Sequence, residues 1–191
     1  ASIPYPRRAA DGPFVLTVFG GSQGARVLSD LVPAAIASLP KDRQKRLTIV
    51  QQCRKEDIDR VRQSYDLLGV SADLQPFFAD MPARMAASNL LVTRSGASTC
   101  AELGVVGRPA IMVPLPGALD QDQRANATVL AAAGGGWMID QSDLTPARLA
   151  SELDRLIANP GELEAAADSA KATGRPDAVK RLADLVEEIA R

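Results

Sequence analysis

Apolar and polar positions fall along this chain in two alternating rhythms. Phe14 to Phe19 (FVLTVF) is an unbroken β-rich apolar run that stops at Gly20-Gly21, after which Leu28, Leu31, Val32, Ala35 and Leu39 recur at helical spacing. The pattern predicts a strand, a glycine loop and a helix. The same succession then predicts a strand at Leu47 to Gln51, a helix at Glu56 to Leu68, a strand at Ala72 to Phe77, a helix at Met81 to Ala87 and a strand at Leu90 to Thr93. A helix at Thr99 to Val105, a strand at Ala110 to Val113, a helix at Gln121 to Ala133 and a short strand at Trp137 to Ile139 complete it.

Strands that read as continuous apolar runs are covered on both faces, and repeated β-α pairs supply the covering helices. The expected fold is α/β, a doubly wound, Rossmann-like parallel sheet of about six strands. From Thr145 onward only helices are expected: Pro146 to Ala158, Pro160 to Lys171 and Asp177 to Ala190, with Pro160 and Pro176 in first turns and Gly174 as a stop. The last helix carries Val179, Leu182, Val186 and Ile189 on one stripe, which calls for something to pack against. Residues 1–13, rich in Pro, Arg and Asp, read as a linker, 14–174 as the domain and 175–191 as a helix that reaches away from it.

Composition narrows the function classes. The chain has 191 residues, 46% apolar and 24% charged, enough for one sizeable core. Its 22 basic and 23 acidic residues nearly cancel, so no global field favours nucleic acid. No apolar run approaches the ~20 residues of a transmembrane segment and no leader is evident, while Cys53 and Cys100 form no CxxC pair, so a cytoplasmic location is expected. The chain contains no histidine, which removes the most versatile acid or base near neutral pH.

Four polar or glycine-rich segments each follow a predicted strand: Gly20 to Gly24, Phe77 to Asp80, Arg94 to Thr99 and Gly117 to Asn126. In a parallel sheet they share the carboxyl edge, where ligands bind. Gly20 to Gly24 (GGSQG) opens a helix and could receive a phosphate on its N–H groups, or serve as a tight turn. Arg94 to Glu102 (RSGASTCAE) puts small residues and hydroxyls at a second helix start. There Thr99-x-x-Glu102 fits a capping box, and Glu102 could equally accept ribose hydroxyls. Asp120 suits an N-cap, and Gln123 and Asn126 share one face of the following helix, either to hold sugar hydroxyls or as an ordinary solvated face.

Taken together, GGSQGA at Gly20 to Ala25, RSGAST-x-x-E at Arg94 to Glu102 and D-x-x-Q-x-x-N-A at Asp120 to Ala127 resemble the C-terminal domain of the MurG family of bacterial glycosyltransferases. The resemblance extends over essentially everything after residue 13. It implies one half of a GT-B enzyme that transfers N-acetylglucosamine from UDP-N-acetylglucosamine (UDP-GlcNAc) to lipid I, forming lipid II for peptidoglycan. At matching positions it implies that Gly21, Ser22, Gln23 and Gly24, with Gly96, Ala97, Ser98 and Thr99, approach the diphosphate. It implies that Glu102 holds the ribose, that the backbone of Phe78 recognises uracil, and that Gln123 and Asn126 contact the N-acetylglucosamine hydroxyls.

One departure stands out: Gln51-Gln52-Cys53-Arg54 occupies a place where that family commonly shows a His-Gln pair. No catalytic residue is expected in this chain. The resemblance assigns the base and the lipid I site to an N-terminal acceptor-binding domain, and the full-length protein to the cytoplasmic face of the bacterial inner membrane as a peripheral protein. No cofactor or metal is expected, helix dipoles standing in for a cation at the diphosphate. Two other readings remain: a stand-alone donor-binding subunit of a two-polypeptide transferase, and a UDP-sugar epimerase of the same fold, which the lack of histidine disfavours.

Overall fold

The computed structural model describes residues 3–21, 25–117 and 122–189. Strands β1 (Phe14–Phe19), β2 (Leu47–Gln52), β3 (Ser71–Gln75), β4 (Leu90–Thr93), β5 (Ala110–Met112) and β6 (Gly136–Met138) form one parallel sheet in the order β3-β2-β1-β4-β5-β6. Phe14 lies beside Leu47 and Leu16 beside Leu90, so the central strand β1 is hydrogen-bonded on both edges. This is the doubly wound order expected of a Rossmann-like sheet.

Side-chain alternation divides the core into two layers. Phe14, Leu16 and Val18 of β1, Leu90 and Val92 of β4 and Ile111 of β5 pack with α1 (Arg26–Ala37), α3 (Ile58–Leu68) and α7 (Pro146–Ala158). Phe19, Leu91, Ala110 and Met112 point the other way, toward α4 (Met81–Ala87), α5 (Ala97–Val106), α6 (Asp122–Ala132) and the Ala170 end of α8 (Pro160–Thr173). Gly136 is required by close approach, since a Cβ there would strike the carbonyl oxygen of Ala110 in the neighbouring strand.

Several boundaries move from the sequence reading, each for a local reason. The third strand ends at Gln75 and not at Phe77, because Pro76 has no N–H to continue a ladder. A short helix α2 (Lys41–Gln44) follows Pro40 and is too brief to show a periodicity. The second helix-start motif begins its helix at Ala97 with Gly96 as N-cap, two residues before the Thr99 start expected. The final helix α9 (Ala178–Ile189) leaves Leu185, Val186 and Ile189 exposed. The side chains of Val179 and Leu182, named in the same stripe, lie outside the described residues.

At the amino edge of the sheet, the segment expected as a linker lies against the domain. The Tyr5 hydroxyl donates to the Asn89 carbonyl (2.9 Å), and Asn89 Nδ2 donates to the Pro6 carbonyl (3.0 Å). Arg108, fully buried, donates to the carbonyls of Pro4 (2.8 Å), Ala86, Val106 and Gly107. A buried guanidinium is tolerated here because each N–H meets an oxygen.

Candidate functional site

At the opposite edge, the segments leaving β1, β2, β4, β5 and β6 frame a cleft of about 540 Å³. It lies where the winding reverses between β1 and β4, since α1 packs on one face of the sheet and α5 on the other.

Two helix N-termini open into this cleft. Gly21 has a φ of 86°, which suits glycine and turns the chain as it leaves β1. At the start of α1, Ala25 provides no side-chain cap and the first turn has no acid. At the start of α5, Gly96 likewise provides no side-chain cap, and the first helical bond is that of Cys100 N to the Gly96 carbonyl (3.0 Å). The N–H groups of Ala97, Ser98 and Thr99 therefore have no intrahelical acceptor. Lack of a side-chain cap is shared with α2, α3, α4 and α8, whereas α7 has one, Thr145 Oγ1 accepting from Arg148 N at 3.2 Å. What sets α1 and α5 apart is that both open on the same cleft. The uncapped pair concentrates free donors and positive dipole ends on one space.

The capping box expected at Thr99 and Glu102 does not form. Because the helix starts at Ala97, Thr99 is already inside its first turn and is buried, while Glu102 is exposed and makes no hydrogen bond or ion pair among the described residues. Glu102 stands four residues beyond Ser98, hence on the same helix face, and Ser98 lines the cleft.

Side-chain charge adds to the dipoles. Arg26, Arg54 and Arg94 line the cleft, and among the described lining residues there is no carboxylate. Arg94 is 8% exposed, and its guanidinium donates to the carbonyls of Val113 and Pro114 (3.1 Å each) and to Gln141 Oε1 (2.6 Å). Burial opposes its charge. With only neutral oxygens as partners, that charge still adds positive potential to the cleft mouth.

Gln123 and Asn126 are neither a solvated face nor free ligands. Gln123 Oε1 accepts from the backbone N–H groups of Ser95 (3.3 Å) and Leu115 (3.0 Å), and Asn126 Nδ2 donates to the Ser95 carbonyl (3.2 Å). Ser95 Oγ completes the clamp by donating to the Gln123 carbonyl (2.7 Å). Among the described residues the Nε2 protons of Gln123 and Oδ1 of Asn126 make no hydrogen bond. Gln123 lines the cleft, so its free amide nitrogen can reach a bound group there.

The loop after β3 lies beside the cleft and does not line it. Gln52 joins it to the glycine loop, with Oε1 accepting from Gly20 N and Nε2 donating to the Pro76 carbonyl (3.2 Å each). The ring of Phe78 is buried with the Arg84 guanidinium 4.2 Å above it, and Phe77 is 67% exposed. Gln51 is buried and accepts from the Tyr65 hydroxyl (2.6 Å), a core role away from the cleft.

Of the expected site residues, Gly21, Gly96, Ser98, Thr99 and Gln123 line one cleft, with Ala97, Glu102 and Asn126 in or beside the same helix starts. Ser22, Gln23 and Gly24, and the N-cap expected at Asp120, lie outside the described residues. Sequence reasoning missed Gln52, Arg54, Arg94 and Gln141. The signal for Gln52 was available, because two glutamines at the end of an apolar strand call for partners at the sheet edge. Among the described residues no group of three or more His, Cys, Asp or Glu could hold a metal ion, and no helix is long and apolar enough to cross a membrane.

The sequence matches the glycosyltransferase family 28 C-terminal domain over residues 15–182. It is 55% identical over 191 residues to the UDP-N-acetylglucosamine--N-acetylmuramyl-(pentapeptide) pyrophosphoryl-undecaprenol N-acetylglucosamine transferase of Nitrobacter hamburgensis, covering all of this chain and 52% of the relative. The transferase of the same name from Methylobacterium nodulans is 57% identical over 191 residues, covering all of this chain and 51% of the relative. The chain thus spans about half the length of the curated relatives it matches. The crystal structure of Acinetobacter baumannii MurG superposes with a TM-score of 0.86 at 31% identity, over 96% of this chain and 54% of that one.

Proposed function

The chain belongs to the glycosyltransferase family 28 C-terminal domain family, and from that premise we propose that it is the donor-holding half of an inverting transferase that moves N-acetylglucosamine from UDP-GlcNAc to lipid I, forming lipid II. The observation that carries this reading is the pair of uncapped helix starts facing a cleft with three arginines and no described carboxylate. A nucleoside diphosphate has the charge and the acceptor oxygens to use both.

In this reading Ala97, Ser98 and Thr99 at α5, with Gly21, Ser22, Gln23 and Gly24 before α1, receive the diphosphate. Glu102, uncommitted on the rim, accepts the ribose hydroxyls. The Phe78 backbone reads uracil, and Gln123 and Asn126 offer their remaining amide atoms to the sugar. Gln123 thereby has two tasks, holding the α5 loop through Oε1 and donating to the sugar through Nε2.

The acceptor hydroxyl attacks the anomeric carbon while the bond to the β-phosphate oxygen breaks, and UDP leaves with the electron pair. Negative charge builds on the departing diphosphate, where helix N–H groups already in place stabilise it without reorganising. The base that takes the acceptor proton comes from the rest of the enzyme, which works as a peripheral protein at the cytoplasmic membrane face. Membership of a transferase family favours this account over an epimerase.

Calorimetric titration with UDP and UDP-GlcNAc, followed by turnover with a lipid I analogue, tests both halves of the proposal. Binding without turnover by the 191 residues is the expected result. No binding overturns the donor assignment, and robust turnover overturns the division of labour.

A further inference from the structure

We propose that Arg54 is a substrate-binding residue whose guanidinium holds the diphosphate of the bound nucleotide. The inference rests on the donor reading above and goes beyond it, since that reading invokes the cleft's arginines only as a shared positive field and gives none of them a contact with the diphosphate.

Most arginines in this fold are committed elsewhere. Arg60 bridges Asp30 (2.6 Å) and Asp57 (2.8 Å), Arg84 bridges Asp73 and Asp80, and Arg155 bridges Glu152 and Glu162. Arg94 and Arg108 spend their protons mainly on carbonyls. Arg54 is exposed, lines the cleft beside Gly20 and Gly21, and makes neither an ion pair nor a side-chain hydrogen bond among the described residues.

Its placement also runs against local electrostatics. Arg54 is the N-cap of the short 3-10 turn Lys55–Asp57 that leads into α3, the end of a helical segment where a cation is disfavoured. The nearby Asp57, which could have offset that cost, is occupied by Arg60. A residue that breaks a local rule with no partner inside the fold is expected at a functional position.

The backbone that carries Arg54 is held firmly. Cys53 N donates to the Gln75 carbonyl (3.0 Å), and Gln52 ties the strand end to both Gly20 and Pro76. The guanidinium is therefore launched from a fixed point next to the glycine loop, and its planar fork matches phosphate oxygens. Arg94 and Arg54 line the same cleft, one buried and one exposed, so a diphosphate bound there meets both a fixed and a free cation.

The test compares UDP and uridine binding, by NMR titration, in the unsubstituted chain, Arg54→Gln and Arg54→Lys. UDP affinity is expected to fall about tenfold in Arg54→Gln, as for the loss of one charge-assisted contact at an exposed site, with uridine binding unchanged. Arg54→Lys should recover part of the loss, and the gap between variants should narrow at high salt. Unchanged UDP affinity in Arg54→Gln overturns the proposal, and so does an equal loss for uridine, which would mark a structural role. Failure of the unsubstituted chain to bind UDP overturns the donor reading itself and this inference with it.

Discussion

Replacing Gln123 by alanine removes the acceptor shared by the Ser95 and Leu115 backbone N–H groups, and the size of the effect follows from where those groups sit. Ser95 is fully buried, so its N–H loses a partner that water cannot replace, whereas Leu115 is exposed and its N–H can be solvated. A buried donor left unsatisfied costs about 1–3 kcal/mol and an exposed one a fraction of that, so Gln123→Ala should destabilise by roughly 2 kcal/mol. For a chain of this size each kcal/mol lowers the melting temperature by about 2–4 °C, which gives an expected fall of roughly 4–8 °C. Gln123→Glu keeps an acceptor for both N–H groups and should melt within about 2 °C of the parent, since the acceptor geometry is retained. It also removes the Nε2 donors, so its preference for UDP-GlcNAc over UDP should shrink although the fold persists. Thermal unfolding by circular dichroism measures the first effect and paired titrations the second. A Gln123→Ala protein that melts like the parent, or a Gln123→Glu protein as unstable as the alanine variant, would refute the clamp.

Three further outcomes follow from groups away from the cleft. Arg108→Met should cost about 3 kcal/mol by leaving the carbonyls of Pro4, Ala86, Val106 and Gly107 without donors, and should speed tryptic cleavage at Arg7 and Arg8 as the leading segment detaches. Equal stability and cleavage rates would count against that anchor. Burial raises the Tyr5 pKa to about 12, so its stabilisation is complete below the ordinary value of 10.0 and is lost as pH rises toward 12. Tyr5→Phe should therefore show a shallower fall in melting temperature over that range than the parent, and identical slopes would contradict it. Burial likewise pushes the Cys100 thiol up to about 11. Alkylation of Cys100 at pH 8 should then run roughly a hundredfold slower in the native chain than after denaturation, because the thiolate is the reacting form.

The layout of the sheet was legible because buried parallel strands announce themselves as unbroken apolar runs. β1, β4, α4 and α7 lie where the pattern places them, their ends marked by Gly20, Arg94, Ser88 and Pro146. Where the pattern overreached, a single residue explains it, as with Pro76 at the end of β3. Much of the site was legible as motifs whose members must share the sheet edge. What escaped was the wiring between them. Gln141 meets Arg94 across 47 residues of sequence, and Gln123 meets Ser95 across 28, so neither pairing leaves a local trace. The Thr99-x-x-Glu102 spacing misled because Gly96 starts the helix earlier, which leaves Glu102 uncommitted in place of capping.

The most direct measurement of the central claim is a crystal structure of this chain with UDP-GlcNAc bound. The account predicts the diphosphate between the Gly20-Gly21 loop and the N–H groups of Ala97 to Thr99, the ribose at Glu102 and the sugar toward Gln123 and Asn126. A nucleotide bound elsewhere, for instance at the amino edge of the sheet near Arg108, or bound with its diphosphate turned away from both helix starts, would contradict it.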